Sequence, residues 1–265
     1  NKRFLSKVVL VVGGSTGIGF ASAQRACTDG ASVVICSNDK ASLDQALQTL
    51  QKIGTAEAYL GDVTKIKDME DLVKFTVKTY GKLDMMVYSA GIQTYGTVVN
   101  TSEETWDATL QIGLKGAFLV SKYAVPEIAK QGGGSIVLVS SVQGIACQPN
   151  VAAYAACKGG VIALCRAMAL DHAKQNIRVN CICPGAVDTP MLRGSAELSR
   201  GEKTVDETLD EWGSKHPLGR LGQAEDIANL VTFLLSEEAR NITGSEMKID
   251  GGLLAALSIG GFDTK

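Results

Sequence analysis

Short, unbroken apolar runs alternate along the chain with longer stretches of helical period. Runs at 7–12, 32–36, 56–60, 84–88, 135–140, 178–182 and 246–249 have the length and composition of strands. Between them, apolar residues recur at three- and four-residue spacing over 18–29, 40–52, 66–80, 103–130, 152–175 and 224–236, which predicts helices. This alternation is the signature of a parallel sheet joined by crossover helices. Strands so uniformly apolar are covered on both faces. The pattern therefore predicts an α/β fold, doubly wound, with a seven-stranded parallel sheet, helices on both faces and ligands at the carboxyl ends of the strands. The stretch 191–217 breaks the rhythm, because Arg193, Glu197, Lys203, Asp206, Glu207, Asp210 and Glu211 make it polar and poorly periodic. It follows a strand, where a lid over the site could sit; a solvated surface excursion explains its composition equally well.

Composition narrows the function without fixing it. With 265 residues, 45% hydrophobic and 20% charged, the chain is expected to form one domain over 1–265. Its 26 Lys and Arg against 28 Asp and Glu give a net charge of −2, which points away from nucleic acid and membrane surfaces and towards a small-molecule substrate. The longest charge-free stretch, 131–157, contains Gly132, Gly133, Gly134, Gln143, Pro149 and Asn150, so it is no membrane helix. The apolar run after Lys2, Arg3 and Lys7 is too short for a signal-peptide core, so a cytoplasmic location is expected. Seven cysteines, an odd number with no C-x-x-C pair, read as small buried hydrophobes in a reducing compartment. Cys181 and Cys183 share a strand face, but His172 and His216 are scattered, so no metal site is expected.

Gly13-Gly14-Ser15-Thr16-Gly17-Ile18-Gly19 joins the first predicted strand to the first predicted helix. Such glycines let backbone N–H groups approach a pyrophosphate at the positive end of a helix, which makes the predicted sheet a Rossmann-type dinucleotide binder. A purely structural strand-to-helix turn is the alternative. The adenosine ribose should be read at the end of the second strand, by Asp or Glu if its 2′-hydroxyl is free and by Arg if it is phosphorylated. That place holds Ser37-Asn38-Asp39-Lys40, which meets neither rule cleanly. Lys40 falls where the next helix opens, so the reading is NAD or NADP with a lean to NAD.

Tyr154 and Lys158 stand at i and i+4 among alanines and therefore share a helix face. An ammonium beside a phenol favours the phenolate, which suits that phenol to proton transfer near neutral pH. Ser141, at the end of the preceding strand, can hold a substrate oxygen while Tyr154 exchanges the proton. Y-x-x-x-K alone is common as a surface pair; a strand-end Ser followed by this pair, downstream of a phosphate loop, is far more specific.

With these pieces in view the sequence resembles the short-chain dehydrogenase/reductase family from about residue 7 to 252. The glycine loop, Gly61-Asp62-Val63-Thr64, Ala90-Gly91, Ser141 with Tyr154 and Lys158, Pro184-Gly185 with Thr189, and Asp250-Gly251-Gly252 carry the likeness. The resemblance implies that Ser141, Tyr154 and Lys158 are catalytic. It implies that Asp62 and Val63 flank the adenine, that Ala90 and Gly91 line the ribose, that Val187 and Thr189 meet the nicotinamide carboxamide, and that Lys158 also holds the nicotinamide ribose. Two departures stand out. Tyr88-Ser89 replaces the usual Asn-Asn before Ala90-Gly91, and Gly113 stands where a fourth catalytic residue, Asn, is common. A glycine keeps the backbone carbonyl that this position supplies, at the cost of a looser helix.

The expected activity is hydride transfer between a nicotinamide cofactor and a secondary alcohol or ketone. Gln93, Tyr95, Gln143, Gln148 and Met191 are candidate substrate contacts, and their amide and hydroxyl groups suit a sugar or polyol. The rivals are a 3-oxoacyl thioester reductase and a non-catalytic nucleotide-binding regulator. The resemblance also implies a homo-oligomer, dimer or tetramer.

Overall fold

The computed structural model describes residues 2–256. Seven parallel strands run in the order β3 (Ala56–Leu60), β2 (Ser32–Ser37), β1 (Val8–Val12), β4 (Met85–Tyr88), β5 (Gly134–Val139), β6 (Ile177–Pro184), β9 (Glu246–Ile249). Every residue of β1 is buried, and successive side chains feed opposite cores. Val8, Leu10 and Val12 pack with helices α3 (Ile66–Tyr80), α5 (Gly116–Ala129) and α6 (Ala152–His172). Val9 and Val11 pack with α1 (Gly17–Thr28), α2 (Lys40–Gln51) and α9 (Ala224–Leu235). This is the doubly wound, Rossmann-like sheet that the apolar runs predict.

The strand order reverses between β1 and β4, and register sets where the crevice opens. Val12 lies opposite both Cys36 and Tyr88, so three strands end level and their loops emerge together on one edge. Ligands bind at such a switch point.

Apart from shifts of one to three residues at other element ends, the structure differs from the sequence reading in three places. The helix expected over 103–130 is α4 (Glu103–Leu110), a π-helical turn (Gln111–Lys115) and then α5. The Tyr88 hydroxyl, buried, donates to the Ile112 carbonyl inside that turn. The stretch 191–217, read as poorly periodic, contains two helices, α7 (Pro190–Ser199) and α8 (Val205–Ser214). A short parallel pair, β7 (Val187–Asp188) with β8 (Gly222–Gln223), brackets them. The third difference is β6, which continues past the expected end at 182 to Pro184. The end of the chain beyond residue 256, part of the tail noted after Gly252, lies outside the described residues.

Candidate active site

The glycine loop is a tight reversal at the end of β1. The N–H groups of Gly13 and Gly14 both donate to the Cys36 carbonyl, at 2.9 and 3.1 Å. Gly13 has φ +75, and a Cβ there would lie 2.6 Å from the Ala90 nitrogen, so only glycine lets the two loops touch. Thr16, at the start of α1, makes no side-chain capping bond. By contrast Ser102, Thr189 and Thr204 each cap their own helices. The first N–H groups of α1 are thus left for a ligand, and they border a cavity of about 630 Å³. A glycine cradle and an uncapped helix end fit the pyrophosphate of a dinucleotide.

Ser15, Thr16, Gly17, Ile18, Ser37, Asn38, Asp62, Val63, Ala90, Gly91, Pro184, Gly185, Val187 and Thr189 all line this cavity with Gly13. Gly19 does not. A Cβ on it would fall 2.0 Å from the Gly13 carbonyl oxygen, so its part is to let α1 pack under the loop. At the adenosine end, the Ser42 hydroxyl donates to Ser15 (3.1 Å) and that of Ser15 to Ser37 (3.0 Å). Asp39 is turned away as the cap of α2, accepting from the Ala41 N–H at 3.1 Å. The Ser42 hydroxyl and that N–H hold its carboxyl below the usual range. Lys40 opens α2 and pairs with Asp44 at 2.6 Å. Asp62 accepts from the N–H and hydroxyl of Thr64, at 2.9 and 2.8 Å, and the N–H bond above all holds its carboxyl low.

Ser141 follows β5, and its hydroxyl accepts from the Gln143 N–H at 3.1 Å. Tyr154 and Lys158 lie on α6, and all three side chains are buried on the wall of the same cavity. The Lys158 ammonium is 5.5 Å from the Tyr154 ring centroid and donates to the Val139 carbonyl at 2.9 Å. One turn of helix thus points both groups inward, and strand β5 anchors the ammonium from below. A Cβ on Gly91 would lie 3.5 Å from that ammonium nitrogen.

Gln93, Tyr95, Gln143, Gln148 and Met191 line the cavity beside these groups. Sequence reasoning missed Leu192, Ser195, Trp212, Lys215 and His216, which α7, α8 and the segment after them contribute to the same wall. Two local signals mark these helices: Thr189 followed by Pro190 is an N-cap with proline at the first turn, and Thr204-x-x-Glu207 is a capping box. Arg193 ties the pair together, bonding Asp188 through two nitrogens at 2.8 Å and Asp206 at 3.0 Å. No cluster of three or more His, Cys, Asp or Glu able to hold a metal occurs among the described residues.

Fold and site together define an oxidoreductase of the dinucleotide-binding α/β class. A family model described as enoyl-(acyl carrier protein) reductase matches residues 12–254. Human dehydrogenase/reductase SDR family member 4 is 39% identical over 249 residues, covering 93% of this chain and 87% of that protein. The 3-oxoacyl-(acyl-carrier-protein) reductase FabG of Thermotoga maritima is 37% identical over 253 residues, covering 95% and 99%. The ligand-free aldohexose dehydrogenase of Thermoplasma acidophilum superimposes with a TM-score of 0.89 at 33% identity, covering 97% of this chain and 98% of that one. The chain belongs to the short-chain dehydrogenase/reductase family.

Proposed function

We propose that the protein interconverts a secondary alcohol and its ketone, with Tyr154 as the general acid/base. The observation that carries this reading is the burial of Ser141, Tyr154 and Lys158 on one wall of the cavity that the glycine loop closes. A bound nicotinamide supplies or accepts the hydride. The Ser141 hydroxyl donates to the substrate oxygen and fixes its distance from the phenol. Tyr154 removes the alcohol proton in oxidation and returns it in reduction. The Lys158 ammonium is the cation that accompanies the phenol oxygen while its proton is away, and the Val139 carbonyl holds it there. Tyr154→Phe keeps the ring and deletes the acid. It should abolish turnover, by about 10³-fold or more, while dinucleotide binding stays intact; a variant that keeps most of its rate sinks the assignment.

NAD is the preferred cofactor in this reading. The ammonium groups lining the cavity, those of Lys158 and Lys215, belong to its catalytic and α8 ends, and Lys40 is already paired. Around the expected ribose place the cavity is lined by Ser15, Ser37 and Asn38, none of them cationic, which supports a free 2′-hydroxyl. The substrate is a sugar or polyol: Gln93, Tyr95, Gln143 and Gln148 offer amide and hydroxyl partners for several hydroxyls. The structural likeness to an aldohexose dehydrogenase supports that class. The relative named as a 3-oxoacyl reductase favours a second reading, reduction of a 3-oxoacyl thioester. Absorbance of the reduced nicotinamide, followed with either dinucleotide across aldoses, polyols, hydroxy acids and 3-oxoacyl thioesters, decides both points. Half-exposed Phe118 and exposed Leu170, on α5 and α6, support assembly into a dimer or tetramer, which light scattering tests.

A further inference from the structure

His216 is buried at the foot of α8, where it meets two glycines that end strands. A Cβ on Gly185, just past β6, would lie 3.1 Å from its Nε2, and one on Gly251, just past β9, 3.4 Å from its Cβ. Both ring nitrogens are engaged with backbone. Nδ1 lies 3.0 Å from the Trp212 carbonyl, one helical turn back, and Nε2 accepts the Ala186 N–H at 3.3 Å. The tautomer with its proton on Nδ1 satisfies both bonds. On the other side of the same residue, the Ala186 carbonyl accepts the Gly222 N–H at 2.9 Å. Ala186 is therefore gripped at both ends, and it immediately precedes Val187, whose side chain is buried at the cavity wall.

The turn that follows leans on the glycine loop, since a Cβ on Gly17 would lie 3.2 Å from Thr189 Cγ2. Gly185, Ala186, Val187 and Thr189 line the cavity together with that loop and Tyr154, so a dinucleotide held by the loop with its reactive ring at Tyr154 would run past the 185–189 turn. Trp212 and Lys215, which precede His216 along the chain, line the same cavity. One imidazole thus joins the 185–189 turn to the helix that walls the cavity.

We propose that His216 is a positioning residue: through the Ala186 N–H it sets the 185–189 turn against the nicotinamide half of the cofactor, and so couples helix α8 to cofactor binding. This rests on the nicotinamide reading of the site. Its effect falls chiefly on the nicotinamide half: the adenosine and pyrophosphate half would be held by the glycine loop, Ser37 and Asp62, which the turn meets at Gly17 through Thr189 and which His216 itself does not touch.

The test compares NADH with ADP-ribose, which lacks the nicotinamide, by calorimetry on the full chain. In His216→Leu the Ala186 N–H loses its acceptor; NADH affinity falls about tenfold while ADP-ribose affinity stays within about twofold. In His216→Gln the amide oxygen reaches the place of Nε2, and most of the NADH affinity returns. Equal weakening of both ligands, an unchanged NADH affinity in the Leu variant, or a Gln variant no better than Leu each overturns the proposal. Failure of the unsubstituted protein to bind NADH and NADPH alike would instead overturn the nicotinamide reading beneath it.

Discussion

Gly113 and Cys157 occupy one space between them. A Cβ at Gly113 would come within 2.3 Å of the Cys157 sulfur, and that sulfur is buried one residue before Lys158. The sequence treats Gly113 as a mid-helix loosening; the structure places it inside the π-helical turn, opposite a thiol that takes up the room a side chain would need. Restoring the family's common residue with Gly113→Asn should therefore destabilise the protein by about 1–3 kcal/mol, an overpacking cost. In a thermal melt this is a fall of roughly 2–4 °C per kcal/mol for a chain near this size. Adding Cys157→Ala should recover most of the loss, and a double-mutant cycle showing no coupling would dismiss the steric account. A second departure has a similar physical basis: Tyr88 reaches across to the Ile112 carbonyl, and a Cβ on Gly116 would fall 2.2 Å from its hydroxyl. Tyr88→Phe removes the bond to the half-buried Ile112 carbonyl, a loss of about 1 kcal/mol readable by urea unfolding. Residue chemistry close in sequence, such as the Tyr154 and Lys158 pair, was legible beforehand. Pairs such as Gly113 with Cys157 were not, because no local spacing joins residues on two different helices.

At the scale of elements, the seven strands of the main sheet were legible as short apolar runs and most helices by their period, although the edge strands β3 and β9 are only partly buried. Helices α7 and α8 were not: each has ten residues, and the residues they bury, Ser195, Ala196, Thr208, Leu209 and Gly213, include only one large apolar side chain. Their ends are nonetheless written in side chains: the Thr204 hydroxyl receives the Glu207 N–H at 3.2 Å while the Glu207 carboxylate receives the Thr204 N–H at 2.7 Å. Thr204→Ala should cost about 1 kcal/mol, concentrated in α8, and raise hydrogen exchange there before the sheet responds. Acid should act on the same helix. Glu211, bonded first to Lys203 and then to Lys215, has its carboxyl lowered from 4.5 to about 2. A depressed carboxyl contributes stability that is complete above its unfolded value and lost as pH falls through the folded one. Protection of the α8 amides should therefore decline between about pH 4.5 and 2; a flat profile across that window would refute it. Helix α6 shows the opposite ambiguity. The stretch Ala152–Gln175 is long and apolar enough to cross a bilayer, yet it carries buried Tyr154 and Lys158 and packs on β6, so its apolarity is that of a core helix.

Across the whole molecule, burial decides which groups the solvent can address. Of the seven cysteines, six are buried and Cys147 alone is exposed. Burial pushes the thiols of Cys27 and Cys36 up to about 12 and raises that of Cys157 as well. A thiol reagent at mildly alkaline pH should accordingly titrate one cysteine in the native protein and all seven in denaturant; a second fast-reacting native thiol would contradict the burial described. The reading of the cysteines as small core residues carried over to the fold for six of them, and the seventh lies in a loop with no period to place it. Cys147 follows the short turn that carries Gln143, and its neighbour Gln148 shares the cavity wall with Met191 of α7. A single outward sulfur at the rim gives one natural attachment point for a dye. A fluorophore coupled there would report, as a change in brightness, each time the rim admits or releases its guest, with no residue replaced.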